Sequence, residues 1–345
     1  MAELKNITGC LLIDATASFL NGAGLGSGED RNLVIPKTYR EKVNGRDEEV
    51  PYVSAQSWRR WLRNTTNEES NWNPSELRSI DTSERGNTNK IATELNPIEF
   101  PEDDLFGYMK SGSSGEESIQ RTSPFKSSIL KGIRGKRRLN KDEAFVHLKE
   151  GTPLPYSTKF YSSHLEGYFN LEYSRLGVFE NLGSRKELSE ENVKKYKDIL
   201  NEELISEKKF KKYKLKDAEK KRKERAAGLL KGLAFLRGGA KQAAFGSDVS
   251  PKVLVLAGMS SANPIFNNIF SGKGENPSIE IETLKEIITD YKDKFSSAVY
   301  IGLRKGYIEN EEELINLSKE KISGIEIIID SPIGVVNNFI EAKLK

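Results

Sequence analysis

The chain has 345 residues, of which 54 are Lys or Arg and 51 are Asp or Glu, so its formal net charge is only +3. Its 15 Phe, 12 Tyr and 3 Trp provide enough large apolar side chains to form a buried core, which excludes a collagen-like or fully disordered chain. The longest apolar run, residues 253–259, is far shorter than the roughly 18 residues that a membrane-spanning helix needs. The N-terminus lacks a signal-peptide pattern, so we expect a cytoplasmic protein with no membrane contact.

The small net charge hides strong segregation of charge along the chain. Residues 207–225 carry a net charge of +7, residues 118–144 carry +6 and residues 54–63 carry +3, which leaves −13 for the rest. Basic clusters on an acidic background indicate a polyanionic partner such as nucleic acid. A solvated helix face explains the lysine run at 207–225 equally well, and both interpretations stay open.

The first part of the chain predicts a strand, a loop, an extended segment and a helix. Residues 7–15 are mostly apolar and predict a buried strand, which a flexible glycine-rich loop at 22–28 follows. Residues 31–42 look extended, and a proline within them places them at a sheet edge. Ser54 is a typical N-cap for a helix over residues 55–64, whose apolar side chains recur at helical spacing.

The middle of the chain predicts an insertion followed by a hairpin. Residues 65–136 lack periodicity, and an irregular run of this length inside a compact domain is usually functional. Residues 139–148 and 156–176 have strand character on either side of a Gly-Thr-Pro-Leu-Pro turn, which predicts a long hairpin arm.

The last part of the chain alternates helices with strands. The pattern predicts helices at 189–204, 226–236 and 281–295, a last helix opened by Ser331-Pro332, and strands at 252–259, 298–303 and 325–329. Without the insertions the order is strand–helix–strand–strand–helix–strand, which predicts an α+β fold with an RRM-like (ferredoxin-like) palm. Sheets of this kind often bind single-stranded RNA.

Common catalytic and cofactor motifs are absent from the sequence. The glycines at 22–28 fit neither the dinucleotide-binding nor the P-loop spacing. The single cysteine, Cys10, excludes a disulfide framework, and only His147 and His164 could act as imidazole bases. The acidic pair at 103–104 has no third metal ligand nearby, so it predicts a cap or turn. We therefore expect no catalytic residue, no metal and no cofactor.

One face of the first predicted helix presents an amide and two guanidinium groups. Gln56, Arg59 and Arg63 lie three and four residues apart, and guanidinium groups bind phosphate oxygens in bidentate fashion. Surface ion pairs with Glu48 and Glu49 are the alternative for these arginines.

Two other segments offer donors to a polyanion. Residues 238–242, with the sequence GGAKQ, combine two glycines that let a ligand approach the backbone with a lysine and a glutamine. A plain helix end followed by a turn is the alternative. The basic cluster at 134–138, which contains Arg137 and Arg138, predicts either phosphate contacts or a solvated turn.

Five motifs that occur in order resemble one known family. They are ITGCLLIDA (7–15), YVSAQSWRRWLR (52–63), DDLFGYM (103–109), RTSPFKSS (121–128) and GGAKQAAFGSDVSP (238–251). Together they resemble the DevR-like, type I-B branch of the CRISPR Cascade backbone subunit (Cas-seven family), which belongs to the RAMP superfamily. The last quarter of the chain contributes little, and residues 185–225 look like a variable helical excursion.

The resemblance implies a hand-like subunit with an RRM-like palm, a finger insertion at 65–136 and a thumb hairpin with its tip at 147–160. It implies several copies in a helical filament along a CRISPR guide RNA, which the protein holds and presents to a target DNA strand. The implied partners are further copies of the chain and the other Cascade subunits, namely a large subunit, a Cas-five-type cap, small subunits and a guide-processing endonuclease.

The resemblance also implies roles for particular residues. A helix that contacts guide phosphates matches residues 54–63, a second backbone-contacting segment matches residues 239–242, and Met109 resembles a finger residue that wedges between bases. The RNA-binding set predicted from the resemblance and the basic clusters together is Lys37, Ser54, Gln56, Arg59, Arg60, Arg63, Met109, Arg137, Arg138, Gly239, Ala240, Lys241 and Gln242.

Two other functions stay open at this point. Some relatives cut target RNA with a loop aspartate, and Asp30 lies in a loop after the first strand, although its flanking residues do not match. A RAMP-type RNA endonuclease acting on precursor or target RNA is therefore the first alternative, and a DNA-binding regulator is the second. Cleavage needs an activated hydroxyl, for which this chain has few candidate bases.

Overall fold

The computed structural model describes residues 2–25, 33–43, 45–80, 90–110, 118–133, 138–146, 154–205, 210–274 and 276–345. Within these residues the protein is a mixed α+β molecule with several sheets. Its helices are α1 (Ala55–Ser70), α2 (Pro101–Phe106), α3 (Glu190–Lys195), α4 (Ala218–Ala234), α5 (Gln242–Phe245), α6 (Ile281–Asp290), α7 (Glu311–Leu317) and α8 (Pro332–Lys343). Its strands are β1 (Asn6–Ser18), β2 (Gly22–Leu25), β3 (Leu33–Pro36), β4 (Thr38–Val43), β5 (Arg46–Val53), β6 (Arg78–Ile80), β7 (Lys90–Ala92), β8 (Tyr108–Lys110), β9 (Ile119–Arg121), β10 (Phe125–Ser127), β11 (Leu130–Gly132), β12 (Arg138–Val146), β13 (Leu154–Leu171), β14 (Val178–Leu182), β15 (Arg185–Lys186), β16 (Leu200–Leu204), β17 (Lys211–Leu215), β18 (Val253–Met259), β19 (Phe270–Ser271), β20 (Ser278–Ile279), β21 (Phe295–Leu303) and β22 (Ile327–Asp330).

Twelve of these strands form one large sheet. Eight follow in the spatial order β22-β21-β18-β1-β13-β11-β5-β4, while β3, β10 and β12 pair with β13, and β2 pairs with β3. The 18-residue β13 pairs with β12 along its first half and with β1 along its second half. The predicted hairpin is thus confirmed, with Arg138 opposite Ser162 and Val146 opposite Leu154.

Alternating side chains cover both faces of the large sheet. On β1, Leu11 and Ile13 join the core under α1, α4 and α8, whereas Cys10 and Leu12 join a second core under α6. This alternation follows from the two-residue period of a strand. Both faces of the sheet along β1, β18 and β21 are therefore covered by apolar layers.

A second sheet of six strands has the order β16-β17-β14-β15-β9-β8. It has a small apolar core that includes Phe179, Leu188 and Tyr213. Two short hairpins, β6 with β7 and β19 with β20, complete the pairing found in the described part of the chain.

A buried ionic cluster joins the six-stranded sheet to the helices of the large sheet. We define it as Arg63, Glu102, Asp103, Asp104, Arg121, Glu187 and Arg225. Asp104 of α2 accepts hydrogen bonds from Arg121 of β9 and Arg225 of α4, and Arg121 also donates to Glu187 at 2.8 Å. Burial alone lowers the pKa of Arg121, but Asp104 and Glu187 outweigh it and hold that pKa above its usual value. The acidic pair at 103–104 is thus a structural anchor.

Several element predictions are confirmed. The first strand, the hairpin, the strand at β18 and the final helix α8 lie where the sequence places them, and Ser331 caps α8 with its hydroxyl, which accepts from Gly334 N at 3.0 Å. The helix predicted at 55–64 begins at Ala55 but continues to Ser70. The predicted glycine-rich loop begins as strand β2, and residues 26–28 lie outside the described residues.

The prediction of a helix at 189–204 is wrong beyond its first turns, and residues 185–225 are only partly helical. After α3 and a 3-10 turn at Lys197–Ile199, β16 and β17 follow as an antiparallel pair, and α4 begins at Ala218. The pairing buries Leu200 and places Glu202 2.8 Å from Lys211, so cross-strand contacts outweigh a helical spacing of apolar residues. Among the described residues, no helix combines the length and apolar character needed to cross a membrane.

Candidate nucleic-acid interface

Three of the segments predicted to bind a polyanion meet at residues 18–21, which connect β1 to β2. Lys37 N donates to Asn21 O at 2.8 Å, Ser54 N donates to Asn21 Oδ1 at 3.0 Å, and Ala240 N donates to Leu20 O at 2.9 Å. We call this group, formed by residues 18–21, 37, 54–56 and 238–242, the junction site. The junction site brings together residues that lie up to about 220 positions apart in the sequence.

The N-terminus of α1 forms one side of the junction site. Ser54 is its N-cap, and Ser54 Oγ accepts from Ser57 N at 3.4 Å. Gln56, in the first turn, is exposed, and its side chain makes no hydrogen bond to the described residues. Because the amides at the start of a 16-residue helix carry partial positive charge, this end of α1 favours an anion.

The loop of residues 238–242 forms the other side. Gly238 lies against the ring of Trp61, where an added Cβ would be 2.2 Å from Cγ. Gly239 has a φ of +108°, a conformation that favours glycine. Lys241 Nζ donates to Thr158 Oγ1 at 2.7 Å and lies 5.2 Å from the Phe19 ring centroid. The loop thus holds the ammonium group of the half-buried Lys241 between Thr158 and the Phe19 ring.

Gln242 does not offer the free donor that the sequence predicts. Its Nε2 donates to Gly238 O and, at 3.1 Å, to Ser247 O, which uses both hydrogens of the amide within its own loop. Its role in the junction site is to fix the loop conformation around Lys241.

An aromatic group beside Lys241 has no counterpart in the sequence predictions. The ring centroid of Phe245 lies 6.3 Å from that of Phe19 and 5.7 Å from that of Phe160. Phe160 and Phe245 are half-buried, so part of each ring is accessible. Phe245 belongs to the GGAKQAAFGSDVSP motif, which is the sequence signal that could have located this aromatic group. Rings next to a cation are the usual stacking surface for unpaired bases.

The prediction that Arg59 and Arg63 present free guanidinium groups is wrong. Arg59 donates to Phe125 O at 2.5 Å and to Ser123 Oγ at 2.9 Å, and burial together with Arg63 lowers its pKa to about 10. Arg63 lies 2.8 Å from Glu102 in the buried ionic cluster. These contacts, rather than surface ion pairs with Glu48 and Glu49, are the ones found for the two arginines among the described residues. Both arginines are occupied by partners from the insertion, which residue spacing along the helix does not reveal.

Arg60 is the arginine of α1 that faces solvent. It is exposed, and its guanidinium has no hydrogen bond or ion pair with the described residues. Lys37 is half-buried and likewise has no side-chain partner among them. The cations that the described structure leaves available around the junction site are therefore Lys37, Arg60 and Lys241.

Adjacent arginines of α1 are expected to respond differently to substitution. Arg59→Ala removes charge-assisted hydrogen bonds to two carbonyls and a hydroxyl, so the free energy of unfolding should fall by about 2–3 kcal/mol. Arg60→Ala, the matched control, should change it by no more than about 0.5 kcal/mol. Urea denaturation followed by circular dichroism measures both values. Equal losses in the two variants would contradict this assignment.

Of the remaining predicted RNA-binding residues, the structure describes Met109 and Arg138. Met109 on β8 is 61% exposed. Arg138 begins β12, and Arg137 lies outside the described residues, as do His147 and Asp30. The RNA-binding roles of Met109, Arg137 and Arg138 stay predictions, and cleavage by Asp30 stays an alternative.

The described part of the +7 run, residues 210–225, is divided between β17 and the start of α4. Several of its lysines pair with acids, such as Lys221 with Glu224 at 3.2 Å and Lys223 with Glu219 at 3.6 Å. The solvated interpretation of this run therefore fits its described part better than a concentrated phosphate site.

The described residues hold few groups suited to acid–base or metal chemistry. His164 Nδ1 lies 2.7 Å from Tyr307 Oη, and burial lowers the pKa of His164 against the opposing effect of Asp14. Cys10 is buried, and burial raises its pKa well above the usual value. No group of three His, Cys, Asp or Glu side chains that could hold a metal occurs in the part of the chain that is described.

Comparisons with known proteins agree on one family and one fold. The family model described as "CRISPR-associated negative auto-regulator DevR/Csa2" matches residues 29–277. Two solved structures, described as "CRISPR RNA-guided surveillance complex" and "CRISPR RNA-guided surveillance complex, pre-nicking", are similar with a TM-score of 0.54 each. They are 13% and 12% identical, and each match covers 98% of this chain and 99% of the other. No curated protein matched. At these identities the structural likeness shows the fold alone.

Proposed function

The chain belongs to the CRISPR-associated DevR/Csa2 family, and from this premise we propose that it is a non-catalytic backbone subunit that binds guide RNA in a CRISPR surveillance complex. The observation that carries the proposal is the junction site, where the backbone amides of Lys37, Ser54 and Ala240 all donate to residues 20–21. These bonds bring together two lysine-bearing segments, a helix N-terminus and half-buried aromatic rings, which are groups that hold a single-stranded nucleic acid by its phosphates and bases.

The proposal includes an RRM-like palm. Along the chain the central elements follow as β1, α1, β11, β13, α4 and β18, and in space the strands lie in the antiparallel order β18-β1-β13-β11. This order, with α1 and α4 on one face, supports the proposed ferredoxin-like palm. In this interpretation residues 65–136 are the finger and residues 147–160 the thumb tip, of which 147–153 lie outside the described residues.

We assign the complex to type I-B, with several copies of the chain in a helical filament on one guide RNA in the cytoplasm. Its further partners are the target DNA strand, the large subunit, the Cas-five-type cap, the small subunits and the guide-processing endonuclease. The five sequence motifs support this assignment, and the two surveillance-complex structures of the same fold are consistent with an assembly role. The protein holds the RNA and leaves sequence reading to base pairing.

Within this role Met109 acts as the wedge that unstacks guide bases. Its side chain is 61% exposed on β8, whose position is anchored because Tyr108 Oη donates to Glu187 O at 2.5 Å. A guide RNA with 2-aminopurine at successive positions should fluoresce more strongly at regularly spaced positions when bound. Met109→Ala should remove these maxima and Met109→Leu should keep them. Maxima that persist in Met109→Ala would exclude Met109 as the wedge.

Purification from cells that express a CRISPR array tests the function itself. We expect the protein to co-purify with RNA of one defined length and with stoichiometric partner subunits. Retention of sequence-specific duplex DNA instead would support the regulator named in the description of the family. Incubation with labelled guide precursor and target RNA tests the endonuclease alternative, because specific products that Asp30→Ala abolishes would contradict a non-catalytic role.

A further inference from the structure

The exposed face of α1 carries a stripe of polar side chains that the junction site uses only at its start. Gln56, Arg60, Asn64 and Asn71 lie four, four and seven residues apart, which places them on one side of the helix. All four are exposed, and none of their side chains has a hydrogen bond to the described residues. The stripe thus provides side-chain donors and acceptors, without partners among the described residues, from the junction site to the other end of α1.

The stripe ends in a groove of about 600 Å³ between the second half of α1 and the turn at residues 71–74. Asn71 ends the helix in the left-handed conformation, with a φ of +51°, and Trp72 N donates to Asn67 O at 2.9 Å. This tight reversal of the chain places Trp72 and Asn73 opposite Arg60 and Asn64 across the groove.

The indole of Trp72 has a fixed position in the wall of the groove. The ring is half-buried, and its edge touches α4 so closely that a Cβ on Gly228 would lie 2.5 Å from Cη2. Glycine at 228 therefore allows α4 to support the ring. A rigid, partly exposed aromatic side chain loses little entropy when a planar ligand stacks on it.

One available cation lies in the groove. Glu68 lies 2.7 Å from Arg237, which also lies 2.7 Å from Glu69, whereas Arg60 has no partner among the described residues. Arg60 is therefore the group of the groove that can contact a phosphate, at the end nearer the junction site, where the backbone of a bound strand would enter.

The side chains of the groove match the edges of nucleobases better than a protein surface. Asparagine amides offer donors and an acceptor in the arrangement that pairs with a base edge, and the apolar contribution is limited to Trp72 and Pro74. A protein partner would need a larger apolar centre. We propose that this groove is a second subsite for single-stranded nucleic acid, which takes an unpaired base against Trp72 and the amides of Asn64 and Asn73. The inference rests on the proposed function and extends its RNA site along α1.

Two measurements on the full chain test the subsite. Protein labelled with 5-fluorotryptophan should give a resonance for Trp72, identified by its loss in Trp72→Phe, that shifts when mixed-sequence single-stranded RNA is added. A second arm adds single-stranded DNA to protein already loaded with guide RNA. A shift in the first arm assigns the subsite to the guide, and a shift in the second arm alone assigns it to the target strand.

The second measurement compares nucleic-acid binding before and after negative charges are introduced at two exposed asparagine amides of the groove. Asn64→Asp combined with Asn73→Asp should weaken binding of the assigned strand about tenfold, because two carboxylates repel its phosphates. The control, Asn201→Asp combined with Asn263→Asp, adds the same charge at exposed positions outside α1 and should bind like the unmodified protein. Equal affinity of both variants, or an unchanged Trp72 resonance with RNA bound, overturns the subsite but leaves the proposed function intact. Absence of any RNA binding overturns both.

Discussion

Replacement of Asp104 by alanine is expected to lower the free energy of unfolding by about 3–5 kcal/mol, because removal of one member of a buried ion pair leaves its partners charged and unsolvated. Asp104 and Arg121 have fully buried side chains, and Arg225 is 1% exposed. Asp104 Oδ2 also accepts from Gly177 N at 2.9 Å, so the variant frees a buried backbone amide as well. Urea denaturation with circular dichroism and intrinsic fluorescence measures the loss.

Two further variants make this result interpretable. Asp104→Asn keeps the shape and one carbonyl acceptor but loses the charge, so it should be intermediate in stability. Glu202→Gln breaks an exposed ion pair with Lys211 in the same part of the molecule and should leave the unfolding midpoint unchanged. A loss below about 1 kcal/mol for Asp104→Ala would mean that the cluster is hydrated and does not join the two sheets rigidly.

The second large effect concerns RNA binding. A variant with Lys37, Arg60 and Lys241 all replaced by alanine removes the cations that the described structure leaves available around the junction site. If each contacts one phosphate of a single strand, the slope of log affinity against log salt should fall in magnitude by about 2. Between about 50 and 200 mM salt, the unmodified protein should then lose about 20-fold more affinity than the variant does.

A charge-matched control separates a specific site from a general effect of net charge. Lys197, Lys214 and Lys220 are exposed and have no side-chain partner among the described residues, and their replacement by alanine changes net charge equally. Fluorescence anisotropy with a labelled single-stranded guide at several salt concentrations gives both slopes. If the control variant flattens the slope as much as the junction-site variant, binding is diffuse and the junction site is not the principal contact.

Much of the architecture is predictable from local pattern. The apolar run at residues 7–15, the Ser54 cap, the pairing of the consecutive strands β12 and β13 and the Ser331-Pro332 start of α8 each depend on residues close together in the sequence. The family is likewise carried by short motifs in order, which the match to residues 29–277 confirms. These features are local, so sequence alone determines them.

The prediction fails where contacts between residues that are distant in the sequence determine the secondary structure. A helical spacing of apolar residues could not show that β17 would pair with residues 200–204 and make them a strand. The structure brings the predicted segments at 37, 54–56 and 238–242 together at residues 18–21 through hydrogen bonds between distant positions, and their binding of RNA stays a prediction.

The arginines of α1 show most directly what sequence and tertiary structure each determine. The sequence by itself determines that Arg59 and Arg63 share a face of the helix, because that follows from a period of 3.6 residues. Only the tertiary structure decides what covers that face: Phe125 O and Ser123 Oγ for Arg59, and Glu102 for Arg63. Burial makes these contacts obligatory, since an unpaired guanidinium out of water is costly. The adjacent Arg60 is left for solvent and for a ligand.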